Sequence, residues 1–118
     1  MGKTIIEKII GNHSGQAVKP GDIVNMTVDT RVARDFGGAN VVQHLEKSGL
    51  EIDDPSKTFF TFDCNPGGSS QNYAINQQLC RKFARSHGIK VYDIDAGIGT
   101  HLAIDEGLIC PDETMVST

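Results

Sequence analysis

The 118-residue sequence has no long apolar run. Stretches such as Thr58 to Phe62 fall far short of the 18 or more residues that a membrane-crossing helix needs, and the opening MGKTIIEKII has no apolar segment ending in a small-residue cleavage site. These two absences predict a cytoplasmic protein with no membrane partner. Positive charge is not in excess either: 11 basic residues against 15 acidic ones give a net charge of −4, which disfavours binding to nucleic acid or anionic lipid. Cysteine is scarce, and Cys64, Cys80 and Cys110 are an odd number at wide spacings, which suits reduced thiols better than a disulfide framework. There is no Cys-x-x-Cys and no His-x-x-x-His, so a zinc site would have to be assembled from distant segments. The tight cysteine spacings of iron–sulfur runs are missing as well, which argues against a cluster held wholly by this chain. Gly97-x-Gly99 lacks the third glycine of a dinucleotide fingerprint. Nothing repeats, and no low-complexity or single-charge block breaks the chain, so it reads as one domain's worth of material.

What is present is a well-punctuated alternation of helix and strand patterns, with 13 glycines as the punctuation. Thr4-x-x-Glu7 has the spacing of a capping box, and Ile5, Ile6, Ile9 and Ile10 follow on one face, predicting a short amphipathic helix stopped by Gly11. After a loop from Asn12 to Gly21, Ile23–Val28 alternates in polarity over a β-rich composition and predicts a strand. Asp29 to Gly38 leads into a helix with Val41, Val42 and Leu45 in its stripe and Gly49 at its end. Thr58–Phe62 is β-branched and aromatic, as a buried strand would be, and points directly at Asp63. The turn Asn65-Pro66-Gly67-Gly68-Ser69-Ser70 offers a capping serine to a helix in which Ile75, Leu79 and Phe83 share a face and which Gly88 ends. Arg81, Lys82, Arg85 and His87 in that helix read as a solvated cationic end favoured by the helix dipole. A strand over Ile89–Ile94, a loop from Asp95 to His101 and a last strand over Thr114–Ser117 complete the pattern. Strands alternating with helices predict an α/β fold whose sheet is at least partly parallel.

In open α/β sheets ligands gather at the carboxyl ends of the strands. Two polar segments fall there, Asp63-Cys64-Asn65 and Asp93 to His101. Asp63 can serve as a base or hydrogen-bonding anchor, although an aspartate before a Pro-Gly turn also commonly caps local amides. Cys64 reads as a small packing residue, because no histidine lies near it in sequence to activate its thiol. His101, in a glycine-rich loop after a strand, is the best placed histidine for proton transfer; a surface role is the competing reading.

The order Gly2–Ile10, Pro20–Val24, Val28-Asp29, Asp63-x-Asn65, Phe83-Ala84, Gly88-Ile89, Tyr92–Ile94 and Glu106–Leu108 resembles the opening of the aconitase superfamily, within it the large subunits of the 3-isopropylmalate dehydratase type and their homoaconitase-like and dimethylmalate-dehydratase-like relatives. The resemblance covers essentially the whole chain. It implies a three-layer aconitase-type domain with a mostly parallel sheet flanked by helices, and chemistry that removes and re-adds water on a 2-hydroxy di- or tricarboxylic acid. It further implies a [4Fe–4S] cluster whose cysteine ligands lie farther along the family's polypeptide, a small swivelling-domain subunit as partner, and an Asp-Ser-His motif directly after a stretch like Thr114–Thr118. On this reading residues 1–118 are one N-terminal fragment that ends just before that motif, is inactive alone and self-associates through apolar surface left uncovered.

Residue by residue, the resemblance assigns Asp63 to the catalytic site; the histidine of the family's Gly-Ile-x-His loop falls on Thr100 of Gly97-Ile98-Gly99-Thr100 without a gap, and a one-residue insertion, favoured on chemical grounds, brings it to His101 as the second catalytic residue. The resemblance places Asn40 of Gly37-Gly38-Ala39-Asn40 as a substrate contact, and it leaves Cys64 where the family commonly carries a histidine. A stand-alone binding or regulatory module that kept the fold and lost the chemistry is the alternative.

Overall fold

The structure is a computed structural model and describes residues 2–118. Its elements run α1 (Ile5–Ser14), β1 (Thr30–Arg34), α2 (Gly38–Ser48), β2 (Thr58–Thr61), α3 (Gln71–His87), β3 (Lys90–Tyr92), α4 (Gly99–Asp105) and β4 (Met115–Ser117), with a turn of 3-10 helix at Pro55–Lys57 before β2. The four strands form one sheet in the order β3-β2-β1-β4. All three pairings are parallel, with Val32 opposite Phe59 and Ser117, and Phe60 opposite Val91. The expected α/β class with a parallel sheet and flanking helices is what the chain adopts.

β2 explains why the sheet must be covered on both sides. Phe60 and Phe62 point into a core with Ala39 and Val42 of α2 and Cys80, Phe83 and Ala84 of α3. Phe59 points the other way, to Val32, Tyr92 and Ala103 of α4. The three phenylalanines are 1–2% exposed, and each contributes about 2 to 3 kcal/mol relative to leaving it in water. Two helices therefore cover one face and one covers the other. The chain advances from β1 through β2 to β3, then returns along α4 on the opposite face and adds β4 beside β1. That reversal puts a topological switch point between β1 and β4, the place where such folds bind ligands. Thr118 closes on it: its Oγ1 accepts from Arg34 N at 3.1 Å, and a side chain at Gly37 would stand 3.1 Å from Thr118 Cβ.

Several local expectations need correction. The capping box forms, with Glu7 N donating to Thr4 Oγ1 at 3.2 Å and Thr4 N to Glu7 Oε2 at 2.7 Å, but α1 runs through Gly11 and stops at Gly15, whose φ of 71° suits glycine. Residues 23–28 are not a strand; the ladder begins at Thr30. Their alternation reflects an extended segment with no partner strand, since ladder hydrogen bonds and not polarity define a strand. The loop from Asp95 to His101 gives way to helix at Gly99, so His101 lies on α4. Ser70 stands at the N-cap of α3, yet its hydroxyl makes no capping bond. The inner face of α3 consists of Gln77, Cys80, Phe83 and Ala84, whereas Ile75 is 59% exposed. Arg81 is not part of a solvated cationic end: its Nε and Nη2 grip both oxygens of Asp93 at 2.8 and 2.6 Å, and its guanidinium lies over the Phe62 ring, 5.0 Å from the centroid.

Candidate active-site edge of the sheet

The carboxyl ends of β1 and β2 bring two aspartates to one edge, each held by a different set of donors. Asp35 follows β1 and is completely buried. Its Oδ1 accepts from Cys64 N at 3.0 Å, and its Oδ2 accepts from Gln77 Nε2 at 3.0 Å and Asn65 N at 3.4 Å. Burial, the largest single influence on this carboxyl, pushes its pKa up. The hydrogen bonds from Gln77, Cys64 and Asn65 together outweigh burial and hold it below the ordinary carboxylate value. Asp35, and not Asp63, therefore caps the turn after β2.

That leaves Asp63 free to face elsewhere. Its Oδ1 accepts from Arg34 Nε at 3.0 Å and lies 3.0 Å from Arg34 Nη2, while its Oδ2 accepts from Gly99 N at 2.7 Å. Its side chain is 5% exposed, and that of Arg34 is 37% exposed, so the arginine extends from the buried carboxylate to the surface of the edge. Asp63 thus ties the end of β2 to the first residue of α4. The approach requires glycine, because a Cβ on Gly99 would come within 2.9 Å of Thr61 Cβ. His101 is two residues farther along α4 and exposed. Asn40 is exposed in the first turn of α2, after the loop that leaves β1, its amide donating to Gly37 O at 3.1 Å.

Cys64 is partly exposed, and its Sγ sits 3.6 Å from Asp63 Oδ1. The thiol belongs to the edge and not to the core; the packing cysteine is Cys80, which is fully buried. Burial, together with the Asp35 carboxylate, pushes the Cys64 thiol up to about 11, so at neutral pH it is a hydrogen-bond donor and not a thiolate.

Sequence reasoning reached Asp63, Cys64 and Asn65 because an apolar strand pointed at them, but it missed Arg34, Asp35 and Gln77. The signal for Gln77 was available: it lies three residues before Cys80 and seven before Ala84, an amide on the buried face of α3. Asp35 was hidden by the placement of the strand at residues 23–28.

One ligand atom from each of Asp35, Asp63 and Cys64 falls within 4.8 Å of the others. The trio does not fit a metal ion, because both Asp35 oxygens already accept N–H bonds and Arg34 lies against Asp63. Nor do the residues of this chain fit a resident [4Fe–4S] cluster. Cys64 is at the end of β2, Cys80 is enclosed by the core and Cys110 is exposed in the loop before β4. Only one thiol reaches the edge. In the N-terminal half of the molecule, no residue of α1 is buried, and among the described helices none is long and apolar enough to cross a membrane.

No protein-family model matches the chain. Among curated proteins, it is similar to 3-isopropylmalate dehydratase large subunit 1 of Methanopyrus kandleri, at 35% identity over 98% of this chain and 28% of that protein. The 3-isopropylmalate dehydratase large subunit of Methanoregula boonei is 32% identical over 98% of this chain and 28% of its own length. Large subunit 1 of the same enzyme from Thermotoga maritima is 31% identical over 96% and 27%. The chain is thus similar over nearly all of its own length to 3-isopropylmalate dehydratase large subunits, and it spans about 28% of the length of the relatives it matches.

Proposed function

We propose that this chain is the N-terminal portion of an iron–sulfur hydro-lyase large subunit, and that it supplies one wall of a cleft in which a 3-isopropylmalate-like 2-hydroxy acid loses and regains water. The observation that carries the reading is the edge itself, where Asp63, Arg34 and the helix bearing His101 converge at the carboxyl ends of parallel strands, in a chain similar to dehydratase large subunits over nearly all its length. In the longer polypeptide the family's Asp-Ser-His motif would follow β4 and stand at the switch point beside β1. The cluster, when bound, supplies Lewis acidity toward the substrate hydroxyl, and its ligands come from outside these residues.

The chain's own side chains have separable roles. Asp63, fixed by Arg34 and Gly99 N, holds an oriented carboxylate at the reacting edge and accepts a proton or a hydrogen bond there. His101, exposed on the first turn of α4, carries a proton between substrate and solvent. Asn40 and the exposed part of Arg34 face the carboxylates of the acid, for which a guanidinium is well suited. Cys64 donates a hydrogen bond from its thiol where the family commonly has an imidazole. A small subunit closes the cleft, and the exposed Ile5, Ile6, Ile23 and Val116 give the isolated chain surface through which it self-associates.

The test is anaerobic expression of the longer polypeptide carrying this sequence, together with its small subunit, followed spectrophotometrically with 3-isopropylmalate and related 2-hydroxy acids. Formation of the unsaturated acid supports the reading. A cluster-loaded protein that dehydrates none of them contradicts it.

A further inference from the structure

Far from the carboxyl edge, at the opposite ends of the strands, a second polar constellation joins α1 to the sheet. His13, in the last turn of α1, places Nε2 2.6 Å from Asp29 Oδ2 and Nδ1 2.8 Å from the Ile9 carbonyl oxygen. Both partners only accept hydrogen bonds. A neutral imidazole has one N–H and could satisfy only one of them, setting a lone pair against an oxygen at the other; the imidazolium donates to both. The same Asp29 oxygen accepts from Thr114 N at 2.8 Å and lies 3.1 Å from Thr114 Oγ1, so the carboxylate bridges α1 and the entry to β4.

The rest of α1's attachment is slight. Thr27 N donates to His13 O at 3.0 Å, and Asn12 Nδ2 reaches Asp112 Oδ2 at 3.5 Å. Ile5 and Ile6 are 66% and 60% exposed, and within residues 15–28 only Val18 is buried.

We propose that His13, Asp29 and Thr114 form a proton-operated clasp that holds α1 and the 15–28 segment against the sheet, closed while the His13 ring carries both protons and released when it loses one. The charged groups facing the ring are Asp29, from the segment before β1, and Asp112, from the loop before β4; both are acidic and both favour the cation. The Ile9 carbonyl, then the Asp29 hydrogen bond, raise the His13 pKa above the ordinary histidine value, and the Thr114 backbone amide, foremost, lowers that of Asp29. A raised histidine stabilises the folded arrangement fully below its unfolded-state pKa and loses that contribution as pH rises through the folded value. A lowered aspartate loses its contribution only as pH falls through its own folded value. The clasp is therefore closed between these two limits and opens on the alkaline side. This holds whether or not the chain belongs to a working hydro-lyase.

The experiment is NMR on the 118-residue chain, following the histidine ring resonances and the backbone relaxation of residues 5–28 across pH, with α2 and α3 amides as the internal reference. His13 is expected to titrate above the ordinary histidine range of about 6.5. Residues 5–28 should gain fast motion through the same midpoint while α2 and α3 do not change. Asp29→Asn should move the His13 midpoint downward and bring the onset of arm motion down with it. His13→Gln should leave the arm mobile at every pH. The proposal is overturned if His13 titrates at or below the ordinary value, if the arm keeps its order while His13 titrates, or if Asp29→Asn leaves the midpoint where it was.

Discussion

Replacing Asp35 by asparagine is the sharpest perturbation of the edge. The side chain keeps its size but loses its charge and one of its two acceptor oxygens. Cys64 N and Gln77 Nε2 approach opposite oxygens of the carboxylate at 3.0 Å each, with Asn65 N at 3.4 Å, so whichever way the new amide turns, its NH2 meets a buried donor. A charge-assisted hydrogen bond is worth about 1.5 to 3 kcal/mol, and a donor left unpaired in the interior costs about 1 to 3 kcal/mol, partly offset by the cheaper burial of a neutral group. A loss of about 2 to 4 kcal/mol follows. At about 0.05 to 0.15 kcal/mol per residue, a chain of 118 residues has about 6 to 18 kcal/mol in total, so the variant stays folded and measurable. Urea denaturation at neutral pH gives the value, with Asp53→Asn as control, since Asp53 is 86% exposed and its 3.2 Å contact with Arg31 should be worth less than about 0.5 kcal/mol. Because the folded-state pKa of Asp35 is lowered, its contribution exists above the unfolded-state value and fades as pH falls through the folded value, so parent and variant should converge in acid. A difference under about 0.5 kcal/mol at neutral pH, or one that does not shrink in acid, would refute the account of how the edge is held.

Other outcomes follow from the same contacts. Gly99→Ala should cost about 1 to 3 kcal/mol by forcing α4 off Thr61, and Thr61→Ala should recover part of that loss in a double-mutant cycle measured by denaturation. Thiol titration of the native chain should label exposed Cys110 first and Cys64 slowly, with Cys80 reacting only on unfolding; early labelling of Cys80 would contradict its burial. Anaerobic reconstitution of the 118-residue chain should yield no stoichiometric iron and sulfide, because its three thiols do not converge.

Three of the four helices were legible because their signals are local, whereas α4 was hidden in what reads as a glycine-rich loop. The Thr4–Glu7 box and the glycines at 49 and 88 mark termini that the structure reproduces, and the aromatic run at 58–62 announces a strand buried on both faces. The sequence misleads where partners decide. Residues 23–28 alternate as well as any strand but have no neighbour to pair with, whereas Thr30–Arg34, carrying two arginines, gains a ladder on each side from β2 and β4. The same limit governs the site. Asp63 was visible from the strand that ends beside it, yet the groups that orient it and its turn come from 29 to 42 residues away, a distance over which no pattern in one sequence connects Arg34 to Asp63 or Gln77 to Asp35. Arg81 was misjudged for a related reason: its place near a helix end suggested solvent, and only the fold brings Asp93 beneath it.

The most direct test of the central claim, that the edge bearing Asp63 and His101 is a catalytic wall, is the turnover of 3-isopropylmalate by the cluster-loaded, small-subunit-bound polypeptide that contains this chain. Asp63→Asn and His101→Ala are each expected to lower turnover on the order of a hundredfold or more, the usual scale for a proton-transfer group, with cluster content unchanged. Turnover within a few-fold of the parent in both variants would contradict the claim.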